Sequence, residues 1–223
     1  MDMDGPMDTP TDADILTLVQ WFSPAWPVGS FAYSHGLEWL VECGDIRRGD
    51  DLRSWLEDVI EHGAGRTDAI FLGAAFKAKG ESALAEIDAA ARGFAPSKER
   101  LMETDLQGAA FCRITASVHG FDLPPLTYPV AVGRAARLAG LPLGTTARMF
   151  AQAVMSNLVT AAMRLMPLGQ SEGHALIREL TPVCARCAEA ALAADLDMLS
   201  ATAFAADLAS MRHETQYSRV FRT

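Results

Sequence analysis

The 223-residue chain has only four cysteines, Cys43, Cys112, Cys184 and Cys187, too few and too scattered to staple a chain of this length. Reduced thiols are expected. Basic residues are also sparse, with 19 Lys and Arg against 28 Asp and Glu, giving a net charge of −9. Five of those negatives, Asp2, Asp4, Asp8, Asp12 and Asp14, crowd the first fourteen residues, so the remainder carries only −4. Such a composition lacks the basic footprint that phosphate contacts require, and nucleic acid is not an expected partner. No apolar run approaches the roughly 20 residues that span a bilayer, and the acidic start lacks the basic and apolar regions of a signal peptide. The expectation is a cytoplasmic protein with no membrane partner.

Motifs for chemistry are missing too. There is no Gly-x-x-x-x-Gly-Lys-[Ser/Thr] loop to cradle a phosphate and no Gly-x-Ser-x-Gly. His213-Glu214-Thr215-Gln216-Tyr217 opens like a zinc-protease helix, but Tyr217 stands where the second imidazole would have to ligate. Cys184-x-x-Cys187 has no second ligand pair at a suitable spacing and sits in an alanine-rich helical pattern, where free thiols pack as small hydrophobes. His62 and His119 end helical stretches, where a cation suits the helix dipole, and His174 is expected at an exposed first turn. An enzyme is not expected.

What is present is helix. Half the residues are hydrophobic and 21% charged, enough to bury a core. In Asp51 to His62 the residues Leu52, Trp55, Leu56, Val59 and Ile60 form one apolar stripe. Ile70 to Lys79, Ser82 to Arg92 and Ser97 to His119 read as further helices stopped by Gly80, Gly93 and Gly120. After the break at Pro124, Pro125 and Pro129 comes a short helix over Val130 to Ala139. Thr145 to Met166 is apolar nearly all round and should be a central helix whose Gln152, Asn157 and Arg164 need partners. Gly169 to Ala194 and Asp195 to Arg212 complete the set, the latter capped by Asp195. With no strand alternation, the fold class is all-α: residues 1–13 a disordered acidic tail, residues 14–223 a single-domain bundle of about ten helices.

Two stretches exceed what a plain bundle needs. Residues 23–38 hold Trp26, Phe31, Tyr33 and His35 in a backbone fixed by prolines and glycines, either pinned to the core by its rings or forming a binding surface. His35 and Glu38 are expected on one helix face, as a hydrogen-bonded pair or a weak metal contact. Residues 211–223 carry three arginines against one glutamate, with Tyr217 and Phe221 one turn apart between Arg219 and Arg222. Tyr and Arg commonly anchor interfaces. The segment either docks on its own bundle or meets a partner, and its composition favours a partner. Beyond Arg212 there is no full apolar stripe, so a chain ending there is expected to fold.

These stretches resemble the urease accessory protein family UreF. The family pattern Leu-Pro-Val-Gly-[Ala/Ser]-[Phe/Tyr]-[Ala/Ser]-Tyr-Ser-His-Gly-Leu-Glu is matched by Trp26, Pro27, Val28, Gly29, Ser30, Phe31, Ala32, Tyr33, Ser34, His35, Gly36, Leu37 and Glu38, with Trp26 the one departure. Tyr128-Pro129-Val130-Ala131, Ser156-Asn157-Leu158-Val159 and Arg164-Leu165-Met166-Pro167-Leu168-Gly169-Gln170 follow in order. The run from Met211 to Arg222 closes the match. The resemblance implies a cytoplasmic all-α chaperone that helps load nickel into apo-urease, a homodimer that binds UreD (UreH) and recruits the GTPase UreG. It implies partner-binding roles for Tyr33, Arg212, His213, Glu214, Tyr217, Arg219, Phe221 and Arg222, and a motif loop of Pro27, Val28, Gly29, Ser34, His35 and Glu38. No cofactor is implied, only nickel in transit. A nickel-storing or sensing protein is the binding alternative, disfavoured by the lack of a His/Cys cluster. A hydrolase is disfavoured by the lack of a nucleophile with a base.

Overall fold

The computed structural model describes residues 9–193 and 195–223, and among them regular structure is helical throughout. Ten α-helices follow one another: α1 (Asp12–Trp21), α2 (Leu37–Cys43), α3 (Gly49–Glu61), α4 (Ala64–Lys77), α5 (Glu81–Gly93), α6 (Lys98–His119), α7 (Tyr128–Ala139), α8 (Leu143–Leu165), α9 (Gln170–Leu192) and α10 (Phe204–His213). Local chemistry sets their ends. Thr11 accepts the Asp14 amide while the Asp14 carboxylate accepts the Thr11 amide, a reciprocal cap that starts α1. The acidic segment thus ends in helix, with Asp12 and Ala13 in the first turn of α1; residues 1–8 lie outside the described residues. Ser97 caps α6 by accepting the Arg100 amide, and Gly120, at φ +72°, ends it. Pro129 sits in the first turn of α7, where its missing N–H is harmless.

The apolar stripe of α3 is buried as its spacing predicts, from Leu52 through Ile60. Helix α8 is the central one: of its side chains only Arg148, Thr160 and Arg164 are exposed. It packs on α9, while α4 packs on both α7 and α9, and α6 on α7. At Gly133 the α7 backbone approaches α4 so closely that a Cβ would lie 2.1 Å from the Leu72 carbonyl oxygen. Edge-to-face and tilted rings run through this core from Trp21 to Phe111 (5.3 Å), Tyr128 (5.8 Å) and Phe150 (5.4 Å).

Two expectations from the sequence need correction. The helix expected from Ile70 begins at Ala64, because Gly63 and Gly65 at its start mask the helical pattern; a Cβ on Gly65 would meet the Ile60 backbone at 2.6 Å. The helix expected over Asp195 to Arg212 is broken. Asp195 accepts the Asp197 amide and caps only a 3₁₀ turn, Leu196–Met198. The chain then runs extended, with the Thr202 amide bonded to the His62 carbonyl, before α10 starts at Phe204. His62 and His119 do end helices, and His119 accepts a hydrogen bond from the Trp21 indole at 3.1 Å. His174 is exposed. Among the described residues no helix is long and apolar enough to cross a membrane.

Candidate functional site: the motif loop and the C-terminal strap

After α1 the chain makes tight turns past Pro27, which is exposed, and Val28, which is buried. Gly29 (φ +76°) begins a 3₁₀ turn, Ser30–Ala32, and His35 and Gly36 are both left-handed, at φ +56° and +80°. His35 is the only non-glycine residue of that kind among the described residues. The loop needs glycine at 36 for space as well, since a Cβ there would lie 2.5 Å from the Ser210 amide nitrogen of α10. Helix α8 holds the loop from the other side. Asn157, half-buried, donates to the Ser30 carbonyl at 2.9 Å and Arg164, at the exposed edge of α8, to the Phe31 carbonyl at 2.9 Å, which supplies the partners expected for these two polar groups.

The residues after α10 lie against this loop as a strap. The Arg222 amide donates to the Ala32 carbonyl at 2.8 Å, and the Ser34 amide and hydroxyl both donate to the Thr223 oxygen, at 2.7 and 2.6 Å. Glu38 then acts as an anchor: its two carboxylate oxygens accept the Val220 amide at 2.6 Å and the Phe221 amide at 2.8 Å. Charge-assisted bonds of this kind are worth about 1.5–3 kcal/mol each. Phe221 enters the core, with the Arg164 guanidinium 4.3 Å over its ring.

Behind the strap lie two linked charge clusters. In one, His213, with no exposure to solvent, meets a carboxylate at each ring nitrogen: Nδ1 is 2.7 Å from Glu99 and Nε2 is 3.3 Å from Glu38. The other Glu99 oxygen accepts from Arg219 at 2.7 Å. In the second cluster Glu103 contacts Arg100, receives Thr223 Oγ1 at 2.9 Å and Gln107 at 3.0 Å, and lies 2.7 Å from His35 Nε2. That same nitrogen is 2.6 Å from the Arg100 guanidinium, so the His35 tautomer can serve only one of them at a time. Burial lowers the His35 pKa and Arg100 adds to this, against the pull of Glu103. For Glu103 burial alone would raise the pKa, but Arg100 and His35 outweigh it and hold the carboxyl at about 2. Asp68, which lines a cleft of about 60 Å³ together with Arg100 and Asp207, goes the other way: burial and Glu103 push it up to about 7 despite Arg100.

This geometry sorts the residues singled out from the sequence. Tyr33, Ser34, His35, Glu38, His213 and Phe221 are buried and work inward. Burial and Glu103 raise the Tyr33 pKa, opposed by a hydrogen bond from Arg222. Arg212, Tyr217, Arg219 and Arg222 face outward, Tyr217 fully exposed, and Glu214, half-buried, accepts the Lys98 amide at 2.9 Å. His35 and Glu38 do not share a helix face as expected. His35 precedes the helix, the left-handed residues turn it toward α6, and each belongs to a different cluster. Nor do Tyr217 and Phe221 share a helical turn: α10 ends at His213, leaving Tyr217 outside and Phe221 inside. The sequence reading missed Arg100, Glu99, Glu103 and Thr223, which hold the strap. Its one available signal was the run of charge at Lys98, Glu99 and Arg100 immediately after the Ser97 cap. Cys184 and Cys187 are buried free thiols, each pushed up to about 12 by burial. Among the described residues no group of three or more His, Cys, Asp and Glu side chains is placed to hold a metal ion.

Comparison with known proteins decides the family. The family model for UreF matches residues 46–181. The chain is 57% identical over 217 residues to the urease accessory protein UreF of Ruegeria pomeroyi, covering 97% of this chain and all of the relative. It belongs to the UreF family. Other UreF relatives include those of Roseobacter denitrificans, 51% identical with 96% of this chain and 95% of the relative covered, and Rhodopseudomonas palustris, 42% identical with 98% and 95% covered. The UreF model match lies between the two stretches that form the strap site, so the loop at 26–38 and the end at 211–223 stand outside it.

Proposed function

We propose that this UreF-family chain is a non-enzymatic accessory protein of urease maturation, a scaffold that binds UreD (UreH), recruits the GTPase UreG and so helps nickel enter apo-urease in the cytoplasm. The observation that carries this reading is the two-sided strap. Its inward residues are fixed by buried carboxylates, which leaves Arg212, Tyr217, Arg219, Val220 and Arg222 displayed on a rigid backing with Phe31 beside them. A shallow groove of about 710 Å³, lined by Lys98, Met102, Glu214, Arg219 and Val220 among others, runs along it. Preordered Tyr and Arg side chains beside a groove of mixed charged and apolar lining suit a protein partner, because little conformational entropy is left to lose on binding. Nickel is treated as cargo in transit, not as a resident ion.

The test is capture of UreD by the full chain, then of UreG by that complex, with urease activation in cells lacking the endogenous copy. Tyr217→Ala with Arg222→Ala should keep the helical circular dichroism signal and lose capture by a hundredfold or more, as expected when two interface anchors of about 2 kcal/mol each are removed. Wild-type capture by that variant would sink the reading. We also propose a homodimer; a light-scattering mass of 24.0 kDa at micromolar concentration would contradict it.

A further inference from the structure

Helix α6 has two unlike faces. Glu99, Glu103, Gln107 and Phe111, each one turn from the next, are buried where the helix packs on α7 and α10. Lys98, Met102, Leu106 and Arg113 share the opposite side and are exposed, Met102 to 40% and Leu106 to 46%. At about 1.5 Å per residue this outer stripe runs about 22 Å, apolar in the middle and basic at both ends. Its first turns form one wall of the strap groove of about 710 Å³, and Arg219 and Val220 stand on the other, Val220 being 65% exposed. The acids nearby are already engaged: Glu99 by His213 and Arg219, Glu214 by the Lys98 amide, and Asp105 beside the stripe by Arg92.

Charge is therefore sorted across the strap, with carboxylates turned inward and bases outward. With three arginines and one glutamate, residues 211–223 carry +2, whereas residues 9–210 carry −8. A basic, apolar-centred face on an otherwise acidic chain selects an occupant of the opposite pattern. Apolar side chains at i and i+4 along one wall match those of a second helix laid beside it, and no strand among the described residues lends a sheet edge for an extended peptide. Phosphates would leave Met102, Leu106 and Val220 without a contact, so nucleic acid fits less well. We propose that the outer stripe of α6 and the strap edge, centred on Met102 and Leu106 and bounded by Lys98, Arg113 and Arg219, together seat an acidic amphipathic helix of a partner protein. This rests on reading the strap as a partner surface and adds the chemistry of what docks there.

Two synthetic helical peptides of roughly 15 residues, long enough to cover the stripe, serve as probes. They share leucines at i, i+4, i+7 and i+11 and differ only in carrying glutamate or lysine elsewhere. Titrated into the full chain at low ionic strength and read by fluorescence anisotropy, the glutamate peptide should bind about tenfold or more tightly than the lysine peptide, against the net charge of the chain. Near 1 M salt that preference should disappear. Leu106→Glu should weaken the glutamate peptide about tenfold more than Leu106→Lys does, because both lose the leucine and only the first adds a like charge. Position 106 is exposed, so both variants should keep the wild-type circular dichroism. A lysine peptide that binds equally or better, equal losses in the two variants, or displacement of the glutamate peptide by a DNA duplex would each overturn the proposal. Failure to capture UreD and UreG with the peptide preference intact would sink the function proposed above and leave this one standing. Capture of both with no peptide preference would do the reverse.

Discussion

Helix α8 and the C-terminal strap are both seated against the bundle, yet different forces hold them. Helix α8 buries Phe150, Met155, Leu158 and Val159 at 2% exposure or less, among side chains from several other helices. Its attachment is apolar, distributed and insensitive to charge state. The strap buries one large apolar side chain, Phe221, and depends on carboxylates from two helices, Glu38 of α2 and Glu99 and Glu103 of α6. Each of those acids was desolvated to meet it, so each becomes a liability once its partner is gone. A helix held by many weak contacts loses stability by increments, whereas a strap held by a few buried charges is lost as a unit.

The largest effect should come from ending the chain after Arg212. From the sequence such a chain is expected to fold; the structure argues otherwise. Truncation would strip His213 and Arg219 from Glu99, two amides and His213 from Glu38, and Thr223 from Glu103, and would empty the Phe221 site. A loss of about 3–5 kcal/mol or more is expected, read as a fall in the thermal midpoint and in the denaturant needed to unfold. An unchanged midpoint would place the strap among decorative contacts. Phe150→Ala is the apolar counterpart and should cost about 3–5 kcal/mol, equally at pH 5 and pH 8. A strong pH dependence of that cost would blur the distinction between the two regions.

Acidity separates them further. Glu103, held near 2 in the fold, contributes stability that is complete above the ordinary carboxylate pKa and is lost as pH falls through its folded value. Asp68 has the opposite sign. Its folded pKa of about 7 lies above its unfolded value, so the folded state keeps a proton that the unfolded chain has released, and stability falls as pH rises from about 4 to 7. Asp68→Asn should flatten that fall by an amount on the order of 1–2 kcal/mol, allowing for its partial contact with solvent. A calorimetric series between pH 4 and 8 checks this, and a parallel offset at every pH would contradict it. The smallest effect concerns the thiols. Cys43 should react with a disulfide reagent at once, whereas Cys112, Cys184 and Cys187 should wait for unfolding, because burial hides them and pushes them to about 11 or 12.

The apolar half of the molecule was legible in the sequence because helical spacing is local information. Leu52, Trp55, Leu56, Val59 and Ile60 announce their buried face within nine residues. The need of Asn157 and Arg164 for partners could also be read, since each is polar in an apolar helix. The strap site was legible only as composition. Glu38 meets Phe221 across 183 positions and Glu99 meets His213 across 114, and no periodicity encodes such pairings. A charged residue on a helix has the same local signature whether it meets water or a buried arginine, so Glu99 and Glu103 looked like ordinary surface. Gly63 and Gly65 hid the start of α4 for the related reason that a close approach between helices selects residues that local propensity disfavours.

The most direct test of the account is amide exchange at Val220 and Phe221 in the full chain, compared with Glu38→Gln. If buried carboxylates seat the strap, both amides exchange slowly in the wild-type chain. The glutamine variant, which replaces two charge-assisted acceptors with at most one neutral acceptor, should speed both by about a hundredfold and leave the Phe150 amide unchanged. Wild-type amides that already exchange at the rate of unstructured chain, or a variant in which they remain protected, would contradict it.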